Sequence, residues 1–189
     1  MAKVILYIAS SLDGYIADRA GRVDWLEPFN QAGEDYGYSA FLDGVGTLLM
    51  GARTYRQVRG FGDWPYHGKR TIVFSHHELG LDAPDGVEVH HGDPGPLLVR
   101  LLDPSDMDIW LVGGCELIAQ FVAIDAIDEY RIFLMPVMLG SGIPLFTPGN
   151  PARDLQLGHV RSYANGVVEL RYGSDGKTGR QGGSGGSAS

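Results

Sequence analysis

The chain has 189 residues, 44% of them apolar, and a formal net charge of -8, so it is a single acidic domain with enough apolar residues for a sizeable core. Its 15 Lys and Arg form no run, which excludes a nucleic-acid backbone as partner, and no segment reaches the apolar length of a membrane span. The start MAKVILYIASSLDG lacks the cleavage pattern of a signal peptide, and one cysteine, Cys115, excludes an internal disulfide framework; together these fit a cytoplasmic protein.

Residues 3–9, KVILYIA, read as a buried strand bounded by Ser-Ser. The stretch SSLDGYIAD follows, and its Asp13-Gly14 pair is a turn signal. A plain hairpin needs a second alternating strand after it, and RAGRVDWLEPFNQAGED does not alternate. Asp13-Gly14 is therefore either a bare turn or the lip of a site. Residues 33–44 predict a helix with Tyr38, Phe41 and Leu42 on one face, stopped by Gly44 and Gly46. VGTLLMG (45–51) is a second strand, ARTYRQVRG (52–60) a short helix, KRTIVFS (69–75) a third strand and GVEVHHG (86–92) a fourth. DPGPLLVRLLDP (93–104) has Pro in its first turn and ends at Pro104, the pattern of a helix. MDIWLVGG (107–114) is a strand running into two glycines, CELIAQFVAIDAI (115–127) a helix, and DEYRIFLMPVML (128–139) a strand. DLQLGHVRSYANGVVELRY (154–172) predicts a hairpin about Ala164-Asn165-Gly166.

Strands and helices alternate until the closing hairpin. The expected fold is a three-layer α/β/α domain over residues 1–172, with a mixed, mostly parallel sheet and an antiparallel edge. The remainder, 173–189, is Gly/Ser-rich and too polar to order itself.

Ligands of open α/β sheets bind beyond the carboxyl ends of the strands. Three such ends here carry glycine or small polar residues: SSLDG, MGARTY (50–55) and LVGGCELI (111–118). A strand–glycine–helix junction lets a backbone approach a phosphate and offers free helix N–H groups to it. Two such junctions can grip the two halves of a dinucleotide, though the spacing is not the Rossmann pattern.

SSLDGYIA, MGARTY, WLVGGCELIAQF and YRIFLMPVMLGSGIPLF, in this order, resemble the dihydrofolate reductase superfamily. More closely, residues 3–172 resemble its stand-alone members related to the reductase half of the riboflavin-pathway deaminase–reductase. The resemblance implies a reductase that takes NADPH and passes hydride to a small heterocyclic or sugar-linked C=N or C=O substrate. It implies that Ile8 and Ala9 line the nicotinamide pocket and that the loop with Asp13, Gly14, Tyr15 and Ile16 closes over the cofactor. Gly51, Arg53 and Thr54 would hold phosphates. Phe74, Ser75 and His76 would receive the adenosine ribose and its 2′-phosphate. Val112, Gly113, Gly114, Cys115 and Glu116 would form the second pyrophosphate turn. Asp13 or Asp35, with Glu34 as the neighbour of the latter, would assist proton transfer, and Trp25 and Tyr38 would face substrate. Related domains pair through edge strands, which implies a homodimer. The chain departs from the riboflavin-pathway pattern at Tyr7, where a Lys is usual, and at YRQVRGFGDWPYHG, which replaces the stretch that binds the substrate phosphate. These departures leave a second reading open, a nucleotide-binding module without turnover.

His76-His77 and His90-His91 are adjacent pairs, and neighbours on a strand face opposite ways, so no metal site is expected. No Ser or Cys triad can be assembled around Ser141 or Cys115.

Overall fold

A computed structural model describes residues 2–30, 33–80, 82–102 and 107–174. Its elements, in chain order, are β1 (Val4–Ser11), β2 (Tyr15–Ala17), a 3-10 turn at Asp24–Leu26, α1 (Glu27–Asn30), α2 (Tyr38–Asp43), β3 (Val45–Gly51), α3 (Ala52–Gly60), β4 (Arg70–Phe74), β5 (Val87–His90), α4 (Pro94–Leu101), β6 (Asp108–Gly113), α5 (Cys115–Ala123), β7 (Glu129–Met135), β8 (Ile143–Pro144), β9 (Leu155–Ser162) and β10 (Val168–Ser174). Among the described residues no helix is long and apolar enough to cross a membrane.

The main sheet has the order β5-β4-β3-β6-β1-β7-β10-β9. From β5 to β7 all neighbours are parallel; β10 and β9 join antiparallel. This is the expected mixed α/β sheet with its antiparallel edge. Strand alternation sends side chains to two cores. Val4, Leu6, Leu49, Ile109 and Leu111 pack under α4 and α5 with Leu98, Leu117 and Phe121. Ile5, Leu48, Met50 and Trp110 pack on the other face with Phe41 of α2 and Tyr55 and Val58 of α3. The second core is aromatic: Tyr7 stacks on Phe41 at 4.4 Å, and the Trp110 indole donates to the Tyr7 carbonyl at 3.0 Å. Beyond β7 the sheet buries one acid completely. Glu169 accepts from the Tyr163 hydroxyl at 2.9 Å and from the Arg171 guanidinium, so the charge enters the core paired.

Several elements are shorter than the sequence suggests. The expected helix over 33–44 reduces to α2, because Tyr36 and Gly37 both take positive φ (55° and 73°) and break the preceding turn. The helix over 115–127 stops at Ala123, and Asp125 then takes φ 54°. The strand over 128–139 ends at Met135, before Pro136, which cannot donate to a ladder. The hairpin is present about Ala164-Asn165-Gly166 as expected, and its loop has three residues. Tyr163 N–H bonds to Val167 O (2.9 Å), Gly166 N–H to Tyr163 O (3.0 Å), and Gly166 takes φ 87°. That is a tight turn closed by a left-handed glycine rather than a two-residue Asn-Gly turn. The last strand runs through Ser174, past the expected domain end at 172. The end of the expected helix at 103–104 and the tail from 175 lie outside the described residues.

Phe121 is fully buried between α5 and the sheet. Phe121→Ala is expected to cost about 3–5 kcal/mol of stability, measured as a lower urea midpoint with an unchanged slope.

Candidate functional site

The chain moves outward from β1 to β3, β4 and β5, then returns to insert β6 between β3 and β1 before β7 is added on the other side. Such a reversal opens a crevice at the carboxyl ends of the strands. A cleft of about 900 Å³ lies there. β1 gives it Ile8 and Ala9, β3 Gly51, β4 Phe74 followed by Ser75, and β6 Val112. The amino ends of α3 and α5 complete its floor.

Gly51 and Gly114 are the residues preceding α3 and α5, and both are extended (ψ 158° and -165°). They bring the two helix starts together. A Cβ at Gly51 would lie 3.9 Å from the Gly113 carbonyl oxygen, and one at Gly114 would lie 3.5 Å from the Thr54 Oγ1. A larger side chain at either position would fill the space. Neither helix has a side-chain cap, so the first-turn N–H groups of both are left for solvent or an anion. Gly113 takes φ 116°, a region open to glycine.

The cleft carries both charges, with Glu78, Asp82, Asp93 and Glu116 among its lining residues. Arg53, Arg56 and Arg59 recur every three residues on α3, and all three line it. Arg59 is paired with Asp82 at 2.9 Å. Arg53 and Arg56 are exposed and have no carboxylate partner among the described residues. Beyond them stand His76, His77 and His90, with His90 edge-on to Phe74 at 5.0 Å. Behind these, the ring nitrogens of His91 lie 2.7 Å from Ser75 O and 3.0 Å from the Glu78 carboxylate, and the hydrogen bond to Glu78 raises the imidazole pKa. Ile8, Ala9, Ile16, Val23, Leu26 and Ile143 give the cleft an apolar wall. Gln57 ties this wall to α3 by donating to Gly21 O at 2.9 Å. Among the described residues no group of three His, Cys, Asp or Glu is placed to hold a metal ion.

Of the residues singled out from the sequence, Ile8, Ala9, Ile16, Gly51, Arg53, Thr54, Phe74, Ser75, His76, Val112, Gly114, Cys115 and Glu116 line this one cleft. The others stand elsewhere. Gly113 supports the floor from behind, against Ile118 and Ile8. Tyr15 pairs with Pro144 in a small second sheet of β2 and β8. Gly14 takes φ 87° in the preceding turn. Tyr38 belongs to the aromatic core, 5.8 Å from Trp110, and Trp25 packs against the Phe133–Tyr163 cluster.

The two candidate acids do not reach the cleft. Asp13 accepts from the Ser11 hydroxyl (2.6 Å) and from the N–H groups of Leu139 (3.1 Å) and Gly140 (2.7 Å). The Ser11 bond first, and then these N–H groups, hold its pKa below the usual 3.8. Asp35 accepts from Gly37 N–H (2.8 Å) and Ser39 N–H (3.3 Å), which lower its pKa likewise. A proton donor for chemistry near neutral pH needs a shift the other way.

Sequence reasoning missed Arg56, Gln57, His77, His90, Leu26 and Ile143. The spacing of Arg53 and Arg56 was a usable signal, since residues three apart share a helix face. Ile143 had none, because it reaches the cleft only through the pairing of Ala17 with Ile143.

The family model of the RibD C-terminal domain matches residues 2–169, and the chain belongs to that family. It is 38% identical over 176 residues to the uncharacterized protein YwjB of Bacillus subtilis, covering 90% of this chain and 97% of that one. A second uncharacterized protein of that organism, YyaP, is 29% identical over 184 residues, covering 90% and 94%. A crystal structure from Shewanella sp. PV-4, provisionally designated a riboflavin biosynthesis protein, superposes with a TM-score of 0.83 at 30% identity, over 92% of this chain and 99% of the other. The bifunctional pyrimidine deaminase and 5-amino-6-(5-phosphoribosylamino)uracil reductase of Thermotoga maritima shares the fold, with a TM-score of 0.67 at 18% identity. This chain covers 92% of its own length there and 56% of that protein. The chain thus has the fold of the riboflavin-pathway reductases.

The apolar wall is set by close backbone contact, since a Cβ at Gly142 would overlap the Ala17 carbonyl oxygen. Gly142→Ala is expected to destabilise the protein by about 1–3 kcal/mol, seen as a lower thermal midpoint.

Proposed function

We propose that the protein is an NADPH-dependent reductase acting on a small heterocyclic or sugar-linked C=N or C=O substrate, of the pterin or riboflavin-pathway pyrimidine kind. The observation that carries this reading is the pair of glycine-capped helix starts beside two unpaired arginines. Two adjacent helix N-termini present N–H donors and positive dipole ends to the same point. A pyrophosphate fits that donor set, and the space above Gly51 and Gly114 admits it. Arg53 and Arg56 match further phosphate charge, including a 2′-phosphate. The family and its reductase structures support the same assignment.

When bound, the nicotinamide supplies a hydride to the substrate. The chain's own residues orient and exclude. The starts of α3 and α5 fix the phosphates, Phe74 and His90 offer ring surfaces to the adenosine side, and Ile8, Ala9, Ile16 and Leu26 keep water from the reacting end. Asp13 and Asp35 are engaged in backbone hydrogen bonds, and neither lines the cleft. That same feature favours the second reading, a module that holds NADPH without turnover. Consumption of NADPH with heterocyclic acceptors in single-turnover mixing separates the two: the reductase oxidises it, and the module leaves its absorbance unchanged.

The reading extends to a homodimer built on β9. All eight residues of this edge strand are exposed, with Leu157 and Val160 among them, and it carries neither Pro nor Lys to block pairing. A two-fold axis would set β9 antiparallel to its copy and continue the sheet. Light scattering after size exclusion is expected to give twice the 20.5 kDa chain mass, and Val160→Lys is expected to return it to one.

Titration of the purified protein with NADPH, followed by nicotinamide fluorescence, is expected to show saturable binding that is tighter than for NADH. Replacing Arg53 and Arg56 together by Ala should weaken NADPH binding by about 10- to 100-fold and affect NADH less. No binding of either nucleotide at millimolar concentration would sink the proposal.

A further inference from the structure

Part of the apolar wall of the cleft stands outside the main sheet. Ile16 and Ala17 lie on β2, and Ile143 lies on β8, and these strands pair only with each other. Both are short, three and two residues long, so their pairing alone is marginal. Ile16 and Leu145 pack against the core, Ala17 is buried, and a set of bonds at the base adds to this packing. Leu12 N–H bonds to Val137 O at 2.8 Å, and Leu145 N–H bonds to Gly14 O at 2.8 Å. Between these two backbone bonds sits the carboxylate of Asp13. Its Oδ1 accepts from Leu139 N–H at 3.1 Å and its Oδ2 from Gly140 N–H at 2.7 Å. Ser11 completes the arrangement. Its hydroxyl donates to Asp13 Oδ1 at 2.6 Å and accepts from Tyr15 N–H at 2.9 Å, so a single relay runs from β2 through Ser11 to the 139–140 turn.

We propose that Asp13 is a positioning residue, whose carboxylate fastens the turn after β1 to the turn at 139–140 and so holds the wall of Ile16, Ala17 and Ile143 closed against the nicotinamide end of the cleft. This rests on the nucleotide reading above. It gives Asp13 a mechanical task that a carboxylate suits. Two N–H donors and one O–H donor converge on two oxygens, and all of them are satisfied without a proton on Asp13. An amide at the same place can accept on only one atom and would turn an NH2 group toward a backbone N–H. Charge-assisted bonds of this kind are the stronger sort. The neighbouring fastenings are backbone-to-backbone, so they survive a change at residue 13. Loss of the carboxylate is expected to loosen the wall without unfolding the domain.

The test uses the full-length protein and two readouts on the wild type, Asp13→Asn and Asp13→Glu. The first is hydrogen exchange without nucleotide. In Asp13→Asn the amides of Leu139 and Gly140 and the segment 15–17 are expected to exchange at least about tenfold faster, while β3 and β6 keep their protection. The second is NADPH binding by stopped flow. The same variant should bind about tenfold more weakly, through a faster off-rate, and Asp13→Glu, which keeps both oxygens, should recover part of both effects. Unchanged exchange at 139–140 in Asp13→Asn overturns the proposal. So does faster exchange with unaltered NADPH affinity, because the clip would then hold nothing that matters to the ligand. A uniform rise in exchange through β3 and β6 also overturns it, since the role would be general stability. If the wild type binds no NADPH, the nucleotide reading has failed, and the exchange data still show separately whether the clip exists.

Discussion

The rest of the structure depends on one close approach: two strand-to-helix junctions, at Gly51 and at Gly113-Gly114, packed against each other with no side chain between them. Inserting β6 between β3 and β1 makes the junctions neighbours. A Cβ at Gly51 or Gly114 would sit in ordinary van der Waals contact, so what glycine leaves there is open space beside the two helix starts. Two helix starts then lie side by side, and the positive ends of their dipoles favour negative charge there. The arginines of α3 add positive charge to the cleft, and Ile8, Ala9, Ile16, Val23, Leu26 and Ile143 add an apolar wall. The nucleotide proposed above carries both phosphates and a neutral ring.

The two cores beneath the sheet explain why this arrangement is stiff. Val4, Leu6, Leu49 and Leu111 on one side and Ile5, Leu48, Met50 and Trp110 on the other fix the three strands whose ends form the floor. The stack of Tyr7 on Phe41, with Trp110 bonded to the Tyr7 carbonyl, ties α2 to the same strands. The outer wall has less of this support. Ile16 and Leu145 pack against the core under α4 and α5 and Ala17 is buried, but β2 and β8 join no strand of the main sheet, and the turn bonds of Asp13 and its neighbours add to that packing.

Much of this was legible in the sequence. Runs such as VILYIA, TLLM and IWLV are apolar on both strand faces, which only a sheet covered on both sides permits, and the glycines at 51, 113 and 114 marked the junctions. Seven of the cleft residues that sequence reasoning found, Gly51, Arg53, Thr54, Val112, Gly114, Cys115 and Glu116, lie at or beside those glycines, and the others lie on or just after β1, β2 and β4. What it could not see depends on long-range contact. Asp13 reads as a site residue because Asp-Gly opens a loop, yet its partners are the N–H groups at 139 and 140, more than a hundred residues away. Tyr38 and Trp25 read as candidates for a pocket wall, and tertiary packing drew both into aromatic clusters. The helix expected over 33–44 shortened because two consecutive residues, Tyr36 and Gly37, take left-handed conformations that local propensity does not announce.

The measurement that tests the central claim most directly is a crystal structure of the protein grown with NADP⁺. The account predicts pyrophosphate oxygens within hydrogen-bonding distance of the first-turn N–H groups of both α3 and α5, the 2′-phosphate toward Arg53 and Arg56, and the nicotinamide against Ile8 and Ala9. A nucleotide bound away from the Gly51–Gly114 junction, or a cleft left empty at saturating NADP⁺, would contradict it.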